Sequence, residues 1–181
     1  MGRRIAYTGA PVLTLEQVAF QVRAEPEDLQ PDLINQIIIP GVTGYCESKT
    51  GAAVRQALYE DEWPASYPSG HSLDVGQVVA IESVVVLGAT VTPYTGRVEL
   101  EQGGKESYLH FPDGRPPGRL RIRYLAGVDL QAYPSVLSWL LLAAETAFTH
   151  RGLLVIGQSI AELPSLYLDH LLADITVPPR F

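Results

Sequence analysis

The residues with chemistry to offer are few: one cysteine, four histidines and a short run of carboxylates in a chain of 181 residues. Cys46 is followed by Glu47, whose charge opposes a thiolate, and no histidine lies near it in sequence. A nucleophilic cysteine needs a base and an electropositive setting, so a buried structural thiol is expected. His71, His110, His150 and His170 are scattered. None forms an H-x-x-x-H or H-E-x-x-H pair that would put two ligands on one helical face. Asp169 and His170 are adjacent and therefore point apart on a helix, while His150 suits the C-terminal dipole of a helix. "SGHS", Ser69 to Ser72, reads as a loop. No G-x-S-x-G elbow, G-x-G-x-x-G turn or glycine loop closed by G-K-[ST] occurs. "YEDEWP", Tyr59 to Pro64, brings Glu60, Asp61 and Glu62 together but reads as a strand end at the surface. The expectation is no catalytic residue, no metal site and no cofactor.

A different pattern lies in "GRLRIRYLAGV", Gly118 to Val128. Arg119, Arg121 and Arg123 alternate with Leu120, Ile122 and Tyr124. A chain of net charge −7 thus places three of its 13 basic residues on one face of one strand. Alternation is the signature of a half-buried antiparallel strand, whose polar face meets water or acidic neighbours. The same face suits a negatively charged partner, either an acidic subunit surface or DNA phosphate. The acidic balance argues against nucleic-acid binding by the whole surface but leaves a local basic face open.

The elements that must position these residues fall into three blocks. Thr14 with Gln17 three residues later makes a capping box, opening a short helix from about Leu15 to Arg23. "AEPEDLQPD" breaks the chain, and Asp32 is then read as the cap of a second helix from Leu33 to about Lys49, closed by Gly51. Pro40-Gly41 falls in the middle of that helix, where a missing N–H and a ring clash predict a kink or two shorter helices. From Val54 to Val128 the pattern is β-rich: "VRQALYE", "QVVAIESVVVL", "ESYLHF" and "RLRIRYLAG" are candidate strands, with a hairpin turn at Gly103-Gly104. "VVAIESVVVL" is nearly continuously apolar, as expected of a strand covered on both faces. Pro134 begins the strongest helix, to about Arg151, with Val136, Leu137, Leu140, Leu141, Ala144 and Phe148 on one face and Trp139 off it. An apolar linker, "GLLVIGQSIAEL", leads to a final helix over about Ser165 to Ala173, and "DITVPPRF" ends the chain extended.

Forty-six per cent hydrophobic residues suffice for a core, and 18% charged residues is low for a free monomer, which points to surface covered by partners. One cysteine allows no intrachain disulfide. "MGRRIAYTGAPVL" lacks the apolar region of a secretory leader, and the longest apolar stretch, Tyr133 to Phe148, is too short and too polar to span a bilayer. A soluble, cytoplasmically made α+β protein is the expectation.

The order of these segments resembles the head-to-tail connector (adaptor) proteins of long-tailed bacteriophages, which form the ring directly beneath the portal. The resemblance rests on "LTLEQVAFQVRAEPEDLQPDLINQII", a capped helix, acidic link and second helix; on "YCESKTGAAV", a helix end with an acidic residue before Thr-Gly; and on the strand "VVAIESVVV". It rests further on "LRIRYLAGV", on the Pro-initiated helix "YPSVLSWLLLAAETAFTHR", and on the closing "LLADITVPPRF". The joint order covers nearly the whole chain and is more specific than any one piece. Pro40-Gly41 departs from the family's regular helix.

What the resemblance implies is a non-enzymatic virion protein of the neck, present in the host cytoplasm during assembly. Its fold would be a helical bundle with an inserted small antiparallel sheet. One domain would span residues 1–173, with helices over about 14–50, 134–151 and 165–173 and the β insertion over about 54–128. About twelve copies would form a ring. The ring would bind the portal protein, extend the channel through which genomic DNA passes without sequence-specific contact, and offer a docking surface to a downstream stopper or tail protein. No membrane is involved. The extended tail, Asp174, Ile175, Thr176, Val177, Pro178, Pro179, Arg180 and Phe181, would reach the portal; a proline-stiffened segment loses little entropy on docking. Arg119, Arg121 and Arg123 would pair with a neighbouring subunit or line the channel. The alternatives are another neck component, a stopper or tail-completion protein, and a small cytosolic enzyme. A nucleic-acid-binding regulator is opposed by the net charge.

Overall fold

The computed structural model describes residues 2–150 and 165–179. The linker read from Gly152 to Leu163, the Arg151 end of the long helix, and the tail residues Arg180 and Phe181 lie outside them. The chain is α+β and divides into two compact units. One comprises residues 2–10, Thr50–Val128 and 175–179, and holds the strands found among the described residues; the other comprises Pro11–Lys49, 129–150 and 165–174.

The β unit has two antiparallel sheets. The larger has the order β1 (Arg3–Tyr7), β2 (Ala57–Trp63), β8 (Arg119–Ala126), β4 (Val78–Leu87), β5 (Thr92–Pro93). The smaller runs β3 (His71–Ser72), β7 (Ser107–His110), β6 (Glu99–Gln102). Gly103 donates its N–H to the Glu106 carbonyl at 2.8 Å in the β6–β7 hairpin that the glycine pair marks. Strand β8 alternates as its sequence dictates: Leu120, Ile122, Tyr124 and Ala126 are fully buried, opposite Trp63, Asp61, Tyr59 and Ala57 of β2 respectively. Leu73, Leu109 and Phe111 from the smaller sheet and its flanks complete the same core. Strand β4 is covered on one face only, with Val78 and Val84 buried and Val79 half exposed. Its run of valines reflects β propensity as much as burial.

In the helical unit, α1 (Leu15–Val22) begins on the expected capping box. Thr14 Oγ1 accepts from the Gln17 N–H at 3.3 Å, and Gln17 Oε1 accepts from the Thr14 N–H at 2.9 Å. After a 3₁₀ turn over Pro26–Asp28, helix α2 (Pro31–Leu33) starts two residues before the expected Leu33. Pro31 takes the first-turn position that suits its fixed φ. Asp32 is therefore inside the helix rather than its cap, and accepts from Gln36 Nε2 at 3.0 Å. The run continues through a π-helical segment, Ile34–Ile38, into α3 (Ile39–Thr50). Pro40 does not split the helix. Widening the preceding turn relieves the crowding that its ring would impose on a regular α ladder, and the Ile39 N–H bonds back to the Ile34 carbonyl. Cys46 is fully buried, and burial first, then the charge of Glu47, pushes its thiol up to about 12.

Helix α4 (Pro134–Thr149) packs against α1, where Gln21 Nε2 donates to Glu145 Oε2 at 2.6 Å, and against α5 (Ser165–Leu172). Trp139, read as off the buried face, is only 3% exposed and stacks on Tyr45 with ring centroids 5.9 Å apart. A helix apolar almost all round has no single face to read. Lys49 Nζ meets Asp169 Oδ1 at 2.6 Å, tying the end of α3 to α5.

Candidate functional site

The register of β2 against β8 places Glu60 opposite Arg123 and Glu62 opposite Arg121. Pairs directly opposite in antiparallel strands point to one side, so the outer face of the sheet becomes a charge ladder. Arg119 donates to Glu62 Oε2 at 2.8 Å and Arg121 to Glu62 Oε1 at 2.8 Å. Arg123 donates to Glu60 Oε2 at 2.8 Å, and Arg3, from the edge strand β1, donates to Glu60 Oε1 at 2.7 Å. Arg121 also stands 3.7 Å from Glu60. Four guanidinium groups thus meet two carboxylates. The three arginines read from the sequence are brought together, and each has a partner in its own chain.

Glu60 is the hub. It is only 6% exposed although it sits on the outer face, because the arginines cover it. Burial alone would raise its pKa; the hydrogen bonds from Arg123 and Arg3 and the charge of Arg121 outweigh this and hold the carboxyl below its ordinary range. The bond from Arg121 does the same for Glu62, helped by the nearby Arg119. These lowered values mean that the pairs stabilise the fold above the ordinary glutamate range and lose that contribution as pH falls through the depressed values. Replacing Glu60 by Gln keeps the shape and removes the charge on which three guanidinium groups converge. The arginines are partly open to water, which places the expected loss near the low end for charge-assisted pairs, about 2 kcal/mol in urea unfolding. Added salt should recover part of it by screening the arginines from one another. A loss no larger than that of an ordinary surface substitution would deny Glu60 this role.

"YEDE" is therefore not a surface strand end: it is the middle of β2, and its three carboxylates part ways. Glu60 and Glu62 face outward, while Asp61 faces the core and is 1% exposed. Asp61 Oδ1 accepts from the Tyr124 hydroxyl at 2.9 Å, and Oδ2 accepts from the Asp74 N–H at 2.8 Å. Burial pushes this carboxyl up to about 6, against the pull of those two hydrogen bonds. Tyr124 is pushed far upward, by burial first and then by the Asp61 charge. Nothing in the sequence flagged Asp61 as buried, since its partner lies 63 residues away.

The C-terminal tail begins on the body of the β unit. Ile175 is fully buried, and the Val177 N–H donates to the Thr50 carbonyl at 2.7 Å. Val177 lies over two glycines. A Cβ at Gly51 would stand 3.3 Å from Val177 Cβ, and one at Gly76 would stand 2.7 Å from Val177 Cγ2. Gly51 also has φ +68, the left-handed helix cap expected of it. Asp174, Pro178 and Pro179 are exposed, and Thr176 is partly so.

Among the described residues no group of three or more His, Cys, Asp or Glu side chains is placed to hold a metal ion. No helix among the described residues is long and apolar enough to cross a membrane. No protein-family model matches the sequence. No curated protein matches it either. Solved structures do match the fold. A chain from the neck of an empty GTA particle, in a structure of C6 symmetry, superposes with a TM-score of 0.75 at 12% identity, covering 100% of this chain and 97% of that one. A chain from the virion of a native gene transfer agent (GTA) particle gives 0.75 at 16% identity, over 99% and 97%. A third, from the neck of the native GTA particle in a structure of C12 symmetry, gives 0.67 at 14% identity, over 100% and 97%. The chain therefore has, from end to end, the fold of chains found in these particles.

Proposed function

We propose that this protein is a structural, non-enzymatic subunit of the neck of a phage-type particle, and within the neck a head-to-tail connector (adaptor). In this reading about twelve copies form a ring that binds the portal, extends the DNA channel and receives the next stopper or tail protein. The observation that carries the proposal is the whole-chain likeness to a neck chain, at a TM-score of 0.75 over 100% of this chain. It is supported by a second, independent line, the ordered series of segments from the capped helix at Thr14 to the closing "PPRF". The neighbours' neck assemblies have C6 and C12 symmetry, which supports a ring built from copies of one chain.

The tail divides the labour in this proposal. Ile175 to Val177 moor it to the subunit, and Pro178, Pro179, Arg180 and Phe181 dock on the portal. Proline holds the exit extended, and an aromatic and an arginine are the residue types that dominate binding hot spots. Electron microscopy of the purified chain, alone and mixed with its portal, tests the reading. Closed rings of six-fold or twelve-fold symmetry are expected, at least in the presence of the portal. Particles that stay monomeric in both preparations would exclude the connector.

A further inference from the structure

The in-chain pairing of the arginine ladder leaves a surplus. Arg3, Arg119, Arg121 and Arg123 carry four positive charges against the two of Glu60 and Glu62. Counting the exposed Glu82 at the bulge in β4, the face is still positive. Because "YEDE" is consumed within this face and the core, one acidic stretch of the sequence remains outward: Glu25, Glu27, Asp28 and Asp32, all exposed around the 3₁₀ turn. Among the described residues none of these four enters an ion pair with a basic side chain. Beside them Phe20 projects with 87% of its surface exposed. It borders an open groove of about 630 Å³ whose lining includes Arg23, Ala24 and Glu25; with Arg23 counted against the four carboxylates, the surface around the turn is still net negative. An exposed aromatic at the edge of a charged rim is the composition of a docking patch.

From this complementarity we propose that the arginine ladder of one copy receives the Glu25–Asp32 loop of the next, with Phe20 as the apolar anchor beside it. The proposal rests on the ring reading above and names the contact that closes the ring. A second copy is the occupant the charges favour. A head-to-tail contact repeats the same ladder-to-loop junction around a closed ring and so meets opposite charges at every junction, as the ring reading requires. The in-chain glutamates fit this role. They hold the four guanidinium groups in fixed positions before contact, so little side-chain freedom is lost when the loop arrives.

Two charge-reversed variants test it. Arg3→Glu with Arg119→Glu turns the face negative and leaves Arg121 and Arg123 to hold Glu62 and Glu60. Glu25→Lys, Glu27→Lys and Asp28→Lys turn the loop positive. Circular dichroism checks the fold, and Arg3→Gln with Arg119→Gln stands in should the glutamate version not fold. Each variant alone is expected to lose ring assembly on the portal, with self-association weakened at least about tenfold and wild-type association falling with salt. An equimolar mixture of the two reversed variants should form rings again, because every junction in an alternating ring is then complementary. Rings from each variant as readily as from wild type would overturn this contact and leave the connector reading standing. A wild-type chain that never forms rings would remove both. Salt-dependent binding of duplex DNA that Arg3→Glu with Arg119→Glu abolishes, with rings intact, would assign the ladder to the channel and overturn the proposal.

Discussion

Removing Ile175 to Phe181 is expected to cost about 4 kcal/mol of stability, whereas removing only Pro178 to Phe181 should change it by no more than about 0.5 kcal/mol. The difference lies in how the tail is seated. Ile175 is fully buried, and taking a side chain of its size out of the core costs about 2–3 kcal/mol. Val177 is partly buried against Gly51 and Gly76, and its N–H satisfies the Thr50 carbonyl at the end of α3. Leaving that carbonyl unpartnered adds about 1 kcal/mol. Pro178 and Pro179 are exposed and donate no backbone hydrogen bond. Urea unfolding of the two truncations gives the stability comparison; co-sedimentation with the portal gives the functional one. The shorter truncation should fold normally and lose portal capture. If it still binds the portal, the docking role of the last four residues is wrong. If it unfolds as readily as the longer one, the mooring has been placed too early in the tail. Gly76→Ala probes the same seat without shortening the chain. Its Cβ would meet Val177 Cγ2 and the Lys105 carbonyl oxygen, each at 2.7 Å, so both the tail and the backbone at Lys105 must shift, and the loss of stability should exceed that of the longer truncation's Val177 contact alone.

The parts of this fold that announce themselves in sequence are those whose signal is local. The Thr14–Gln17 box, the Pro134 start, the Gly51 cap, the glycine hairpin and the arginine alternation each need only neighbours along the chain, and each stands where expected. What was illegible depends on partners far away. Strand β1 has all five residues exposed, so it has no buried face and no period to read. Strand β2 looks polar because its sequence is "ALYEDEW", and only its register against β8, about 60 residues on, sends Asp61 inward and Glu60 under the arginines. The ladder shows the same limit. Spacing gave three cations on one face, but their counter-ions came from another strand. The π-helical turn before Pro40 was also hidden, since a proline in a helix forecasts trouble without saying which of several distortions resolves it.

The buried Asp61 yields the second large effect, and its sign is opposite to that of the glutamates on the outer face. Its carboxyl is held at about 6 in the folded chain, against an ordinary aspartate value of 3.8. The folded state therefore binds the proton more tightly than the unfolded state. The stability linked to Asp61 is complete below about pH 4 and is lost as pH rises through 6, a span of about 3 kcal/mol. Asp61→Asn removes this titration. Asn can still accept the Asp74 N–H, and its amide can be donated to the tyrosine oxygen, so the fold is kept. Plotted against pH, the stability of Asp61→Asn relative to wild type should climb by about 3 kcal/mol between pH 4 and pH 7 and then level. Parallel curves would show that Asp61 does not titrate in this range. Tyr124→Phe provides the complementary check. It deletes a hydrogen bond that favours the charged carboxylate, and should move the wild-type inflection to higher pH. The retention of a carboxylate at such a position has a structural reason. It pins the backbone at Asp74, two residues before the Gly76 on which Val177 rests, so the group that weakens the core also sets the seat of the tail.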